Sequence, residues 1–470
     1  MSERIPVQII ELVEPSRAKL KATSSDTLIH TRSFTGLFRN LRLSGAGLLF
    51  LLFFGTVWLD WSGRQAVLWD LADSKFHIFG ATFWPQDFIL LSALLIICAF
   101  GLFAITVFAG RVWCGYTCPQ SSWTWIFMWC EKLTEGERNQ RIKLQAAPWG
   151  VNKLLRRSAK HSLWLAISVL TGLTFVGYFT PIRPLAMDML TLQLSGVSLF
   201  WVLFFAAATY INAGWLREAV CMHMCPYARF QSVMFDKDTL TVSYDAARGE
   251  NRGPRKRDVE PASVGLGDCI DCQVCVQVCP TGIDIRDGLQ MECIGCAACI
   301  DACDSIMDKM GYERGLVSYT SERTLQGGHT HLLRPRLIGY CAVLVLMIGA
   351  LVLSLVERPM VSLDVSKDRG MFRENSQGQI ENIYSLKIIN KTQQPQQYHL
   401  ALVEGKGFEY HGKTEVSLAA GEIIDIPVSV AMIADHPTSS SQSISFEVVD
   451  DADSTVRSLA QSRFVAPINR

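Results

Sequence analysis

Two stretches of this chain repeat one thiol pattern. "RVWCGYTCPQ" sets Cys114 and Cys118 four residues apart before Pro119, and "EAVCMHMCPYARF" sets Cys221 and Cys225 four apart before Pro226. The second adds two thioethers and an imidazole, Met222, Met224 and His223. Proline suits a helix's first turn, and the residue before it avoids the helical region. Cys118 and Cys225 are therefore expected where one helix ends and another begins. A thiol at a helix N-terminus is more readily a thiolate, and Arg111, Arg217 and Arg229 would favour that form further. Thiolates and thioethers are soft ligands that suit Cu(I). Cys114, Cys118, Cys221 and Cys225 form the candidate reactive set. They could make one four-thiolate copper site, a redox-active dithiol, or ligands of a further iron–sulfur centre. Met222, His223 and Met224 are candidate copper ligands, with apolar packing as the competing reading for the two methionines.

A second set of thiols is denser. "CIDCQVCVQVCP" gives Cys269, Cys272, Cys275 and Cys279 before Pro280, and "CIGCAACIDACD" gives Cys293, Cys296, Cys299 and Cys303. Each is Cys-x2-Cys-x2-Cys-x3-Cys, the spacing of bacterial two-cluster ferredoxins, in which the fourth cysteine of each run serves the other cluster. One 4Fe–4S cluster is expected on Cys269, Cys272, Cys275 and Cys303, and the other on Cys293, Cys296, Cys299 and Cys279. Zinc is the competing reading, and eight cysteines at this double spacing speak against it. Asp304 stands where a proline usually follows the second run, so a different local turn is expected there.

The elements that must position these thiols are membrane helices. The chain has 470 residues, 49% of them apolar, and 15 cysteines. Five stretches are long and apolar enough to span a bilayer, at about 39–60, 88–110, 162–180, 196–214 and 337–356. The first begins too late for a cleavable signal peptide. Basic residues concentrate before the first span (Arg4, Arg17, Lys19, Lys21, Arg32, Arg39, Arg42) and between the second and third (Arg111, Lys132, Arg138 and others). The positive-inside rule then places the N-terminus in the cytoplasm and the chain beyond the fifth span outside it. Both Cys-Pro stretches follow even-numbered spans and share the cytoplasmic face, where thiols stay reduced and a structural disulfide is a poor reading. Cys98 and Cys341 fall within spans and read as packing residues, and Cys130 reads as structural. The formal net charge is zero, so bulk charge points to no nucleic-acid partner.

The expected domains are a tail at 1–38, a four-span part at 39–214, a cytoplasmic segment at 215–336 with a ferredoxin-like α+β core at about 260–312, a fifth span at 337–356 and a final domain at 357–470. "ARGENRGPRKRDVEPASVGLG" reads as an exposed linker into the core. Past Val361, segments such as "IYSLKIINK", "QYHLALVEG" and "IIDIPVSVAM" alternate apolar and polar residues between turns, which predicts an all-β, seven-stranded immunoglobulin-like sandwich. His399, His411 and His436 are dispersed there and read as surface residues.

Together, "RVWCGYTCPQ", "TYINAGWLREAVCMHMCPYARFQSVMFD", the double cysteine run through Cys303 and "DRGMFRENSQGQIENIYSLKIINK" resemble the CcoG family, also called FixG or RdxA, over most of the chain. The resemblance implies a bacterial inner-membrane protein acting in assembly of cbb-type cytochrome c oxidase. It implies the eight ferredoxin cysteines as ligands of two 4Fe–4S clusters, the four Cys-Pro cysteines as the reactive site, and reduction of Cu(II) to Cu(I) before a copper-transporting ATPase and oxidase assembly factors receive it. The electron donor is unknown, and a homodimer is left open. The residues alone reach a membrane-anchored two-cluster electron carrier with soft-ligand thiols. Two rivals fit that description: a quinol-linked electron-transfer subunit and a non-enzymatic assembly scaffold.

Overall fold

The computed structural model describes residues 29–370, 372–375, 377–404, 407–433 and 441–467. The basic tail residues Arg4, Arg17, Lys19 and Lys21, and His436, lie outside the described residues. Among the described residues, five helices are long and apolar enough to cross a membrane: Leu37–Trp58, Pro85–Ala109, Val151–Val176, Gly196–Leu216 and Pro335–Val356. Many of their leucines, isoleucines and phenylalanines are exposed, as a lipid-facing surface requires. Cys98 and Cys341 are exposed as well, which corrects their reading as packed residues; Cys130 is buried.

The third span differs most from its expected start. It begins at Val151, because the basic run before the apolar stretch is already helical. Long basic side chains lay their stems along a helix while the heads reach polar partners. Lys153 does so, donating to the Gln145 and Ala147 carbonyls at 2.9 and 2.6 Å.

The chain divides into two compact units. The first holds the described residues up to Leu49, with Ile105–Ser168 and Ala207–Leu332, and so contains all twelve candidate cysteines. Its strands Thr241–Tyr244 and Val317–Thr320 pair antiparallel. They share a core with the Ala298–Met310 helix, built from Val242, Tyr244, Ile285, Ile300, Met307 and Leu316. The basic stretch expected to be an exposed linker is instead tied down along this module. Gly253 N donates to the Cys269 carbonyl at 3.2 Å, and Arg248 pairs with Asp268 at 2.6 Å. Arg255 donates to the Tyr312 hydroxyl at 3.0 Å and lies over its ring.

The second unit comprises Phe50–Ala104, Val169–Ala206 and Leu333–Arg470. Its strand domain is a two-sheet sandwich with nine strands among the described residues rather than seven. One sheet orders Phe408–His411, Ile423–Met432, Ile380–Asn390 and Val361–Lys367, with Arg373–Glu374 at its side. The other orders Glu415–Leu418, Gln396–Glu404, Ser441–Asp450 and Arg457–Val465. Tyr384, Leu386 and Ile388 face Tyr398, Leu400 and Phe446 in the core. Pro427 sits opposite Ser385, and among the described residues the Phe408–His411 strand pairs with residues 429–432 alone. The missing proline N–H therefore costs no ladder bond on that side.

Candidate functional site

The two Cys-Pro stretches fold as their prolines require. Cys118 is extended (φ −62°, ψ 126°) between a short Val112–Tyr116 helix and the Pro119–Glu135 helix. Cys225 is extended (φ −77°, ψ 112°) ahead of the Pro226–Met234 helix. The foot of the fourth span is wound as two π-helical turns, Tyr210–Leu216 and Val220–Met224. π turns inside helices recur at functional sites. Between them Arg217 takes φ +43°, a conformation non-glycine residues avoid. Its own bonds hold it there: Nε donates to the Gly214 carbonyl at 2.8 Å, and a terminal nitrogen reaches Glu131 at 2.5 Å.

The two stretches lie side by side. Gln120, two residues past Cys118, donates to the Asn212 and Arg217 carbonyls at 2.9 and 3.1 Å. The Cys114 thiol donates to Gln231 Oε1 at 3.6 Å. Cys114, Cys118, Cys221 and Cys225 are all half-buried. Met222 is half-buried, while His223 and Met224 are exposed. Of the three arginines expected to favour thiolates, Arg111 acts on Cys114 and Cys221, whereas Arg217 is committed to Glu131. Glu131 also binds Arg141 at 2.9 Å, and Lys160 bridges to Glu135 at 3.1 Å. Nothing in the thiol spacing announced Gln120, Glu131 or Gln231. The one available signal was a carboxylate, Glu131, directly after the apolar and aromatic run from Trp123 to Cys130.

The eight remaining cysteines gather as two groups. Cys269, Cys272, Cys275 and Cys303 line one cavity. Cys279, Cys293, Cys296 and Cys299 line the next, with Cys275 at its edge. The fourth thiol of each run thus faces the other run's cavity. Equivalent backbone turns shape both: Gln273 and Ala297 take φ +56° and +57°, and Asp271 and Gly295 take φ +52° and +65°. Asp304 continues the Ala298–Met310 helix, whereas Pro280 follows the end of the Val274–Val278 helix. The missing proline therefore lengthens a helix and leaves Cys303 in place.

Burial pushes the Cys114 thiol up to about 12, with Cys118 adding to the effect. Cys221 rises to about 11 by burial, then by Cys118 and Cys225. Cys293 and Cys303 reach about 12, again chiefly by burial. Such thiols keep their protons at neutral pH until a metal displaces them. Among the described residues no three His, Cys, Asp or Glu side chains close on a single-ion site. A zinc ion would draw four sulfurs to about 3.8 Å from one another, given Zn–S bonds near 2.3 Å. A cubane gives each cysteine its own iron and spreads the sulfurs wider, so the two lined cavities fit clusters and not zinc. The four Cys-Pro thiols form no closed ion cage either.

The two sets of thiols are neighbours. Cys114 packs in one apolar cluster with Ile294 and Cys296. A Cβ on Gly115 would lie 2.8 Å from Cys296 Cα and from the Gly295 carbonyl oxygen, so only glycine allows this approach. The Tyr319 hydroxyl donates to the Gly295 carbonyl from the other side.

Residues 216–322 match the 4Fe-4S dicluster domain family, and residues 351–467 match the IG-like fold at the C-terminal of FixG. The chain is 39% identical over 419 residues to Protein RdxA of Cereibacter sphaeroides, covering 86% of this chain and 87% of RdxA. It is 36% identical over 393 residues to nitrogen fixation protein FixG of Rhizobium meliloti, covering 75% of each. It is 30% identical to the crystal structure of a FixG-related protein from Vibrio parahaemolyticus, covering 23% of this chain and 95% of that one, with a TM-score of 0.21. Membrane-crossing helices, a dicluster domain and an IG-like sandwich together define a membrane iron–sulfur electron-transfer protein. The chain belongs to the FixG, RdxA and CcoG family.

Proposed function

We propose that this protein is a cupric reductase whose reactive site is the set Cys114, Cys118, Cys221 and Cys225. The observation that carries the reading is the packing of Cys114 against the apolar cluster that holds Cys296, with Gly115 against the Cys296 backbone, which joins the soft-ligand thiols to the iron–sulfur module. Cys269, Cys272, Cys275 and Cys303 hold one 4Fe–4S cluster, and Cys279, Cys293, Cys296 and Cys299 the other. When bound, the clusters supply one-electron transfer. Each Cu(II) takes one electron to become Cu(I), the electron coming from a quinol or a cytoplasmic reductant. Cys114 and Cys221 release their protons on meeting copper, and soft sulfur then favours the Cu(I) product. The lack of a closed ion cage suits copper as a substrate that visits, with half-buried Met222 beside it and exposed His223 and Met224 at the approach. Basic residues flanking the spans support a cytoplasmic N-terminus and iron–sulfur module, with the sandwich on the periplasmic side. The family resemblance supports delivery of Cu(I) to a copper-transporting ATPase for cbb-type oxidase assembly as the next step.

The test is anaerobic stopped-flow on full-length, cluster-replete protein. Reduced protein is mixed with Cu(II), and cluster absorbance is followed alongside capture of Cu(I) by a chelator. In wild type the clusters reoxidise as Cu(I) appears. Cys221→Ala with Cys225→Ala slows this at least tenfold with iron content unchanged. An equally fast double variant removes these thiols from the path and leaves quinol-linked electron transfer as the function.

A further inference from the structure

Arg111 is 8% exposed and stands just before the Val112–Tyr116 helix. One guanidinium nitrogen donates to the Met291 carbonyl and to the Cys293 carbonyl, the latter at 3.2 Å. The other donates to the Ala228 carbonyl at 2.6 Å. One side chain thus grips the loop that begins the second cysteine run and the helix that follows Cys225. We propose that Arg111 is a positioning residue that couples the Cys279, Cys293, Cys296 and Cys299 group, and not the other group, to the paired thiols, and that its charge makes this the higher-potential cluster.

The asymmetry is one of charge. The first cavity also has an arginine, Arg286. Two carboxylates neutralise it, Asp271 at 2.6 Å and Asp284 at 2.7 Å. The partners of Arg111 are carbonyls, which leave its full charge beside Cys293. Its field reaches Cys114, Cys221 and Cys293 alike. A cluster gains negative charge on reduction, so a nearby uncompensated cation favours the reduced form and raises the potential. The group beside the thiols is then the downhill end of the module. Position follows from the same bonds. Without the grip on Met291 and Cys293, the 291–296 loop loses its direct bonds to residue 111 and keeps the Tyr319 hydroxyl, between the Gly295 carbonyl and the Tyr116 hydroxyl, and the apolar packing around Cys114.

The inference rests on the reading that the eight cysteines hold two clusters, and the experiment separates the two. Full-length protein is titrated redox-potentiometrically with EPR detection, as wild type, Arg111→Gln and Arg111→Lys. Iron and sulfide analysis comes first, and a wild type without cluster iron sinks both readings. With two clusters present, only the inference is at stake. Arg111→Gln is expected to lower the higher of the two potentials by a tenfold shift in its reduction equilibrium, about 59 mV for one electron, while the lower one stays put. Arg111→Lys keeps a charge but cannot grip both sides, and is expected to displace the same potential by less. Two potentials that move together, a shift of the lower one alone, or neither moving overturns the inference. Should Arg111→Gln accumulate no iron, Arg111→Lys decides by the same criterion: the higher potential alone displaced supports it, any other outcome overturns it.

Discussion

Glu131 is 1% exposed, yet it holds Arg141 at 2.9 Å and Arg217 at 2.5 Å, with Lys160 at 3.9 Å. Burying such a group is tolerable only because every charge has a partner. Arg217 depends on it most, since it keeps a left-handed backbone four residues before Cys221. Lys160 and Arg217 also lie over the Trp164 ring, at 4.9 and 5.6 Å. Glu131→Ala would leave two guanidinium groups buried without their anion, a change that costs about 3–5 kcal/mol. Thermal unfolding followed by tryptophan fluorescence is expected to show that loss as a clearly lowered Tm. Glu131→Gln, which keeps two hydrogen-bonding atoms, is expected to lose less. An unchanged Tm in Glu131→Ala would show that the network does not fix this part of the bundle.

Among the elements, the Ala298–Met310 helix carries the most function per turn. It presents Cys299 and Cys303 to different cavities, and Asp301 between them accepts from the backbone N–H groups of Phe38 and Arg39 at 3.2 and 2.8 Å. The start of the first span is thereby capped by a residue of the iron–sulfur module. The helix can do both because it runs unbroken through Asp304, whose side chain accepts from Gly315 N at 3.0 Å. Asp304→Pro would restore the residue usual after such a run. Inside this helix, however, it removes a backbone bond and collides with the preceding turn, at about 3 kcal/mol or more. Iron and sulfide analysis of the variant is expected to show loss of cluster content relative to wild type. Asp304→Asn keeps the helix and is expected to keep the iron. Full cluster content in Asp304→Pro would show that the continuous helix is dispensable.

At the scale of the whole chain, what the sequence made legible was whatever carries its own period or spacing. Five apolar runs and eight cysteines at doubled spacing needed no tertiary context, and the register of prolines 119 and 226 placed both helix breaks correctly. What it hid depends on partners distant in sequence. The Gln120 bonds to residues 212 and 217, the closeness that makes Gly115 obligatory, and strands such as Arg457–Val465 with only sparse inward apolar positions leave no local trace. The same holds within the second unit, where Asp87 at the start of the second span meets Lys391 at 3.1 Å and Arg358 at 2.5 Å. Arg358 also donates to the Thr82 carbonyl at 2.9 Å and lies over the Phe83 and Trp84 rings. One carboxylate thus ties the sandwich to the entrance of a span that precedes it by hundreds of residues. If that tie fixes the sandwich, Asp87→Asn should loosen the joint after the fifth span, at Glu357–Met360, without unfolding either part. A loss of about 1.4 kcal/mol in the attachment raises the open population tenfold. Where opening is fast relative to cleavage, proteolysis rises in the same proportion. Limited proteolysis of the full-length protein is therefore expected to release the strand domain about tenfold faster in Asp87→Asn, with its melting transition unchanged. Equal release rates would mean that the strand domain is held by its apolar contacts, and that the buried ion triad serves another end.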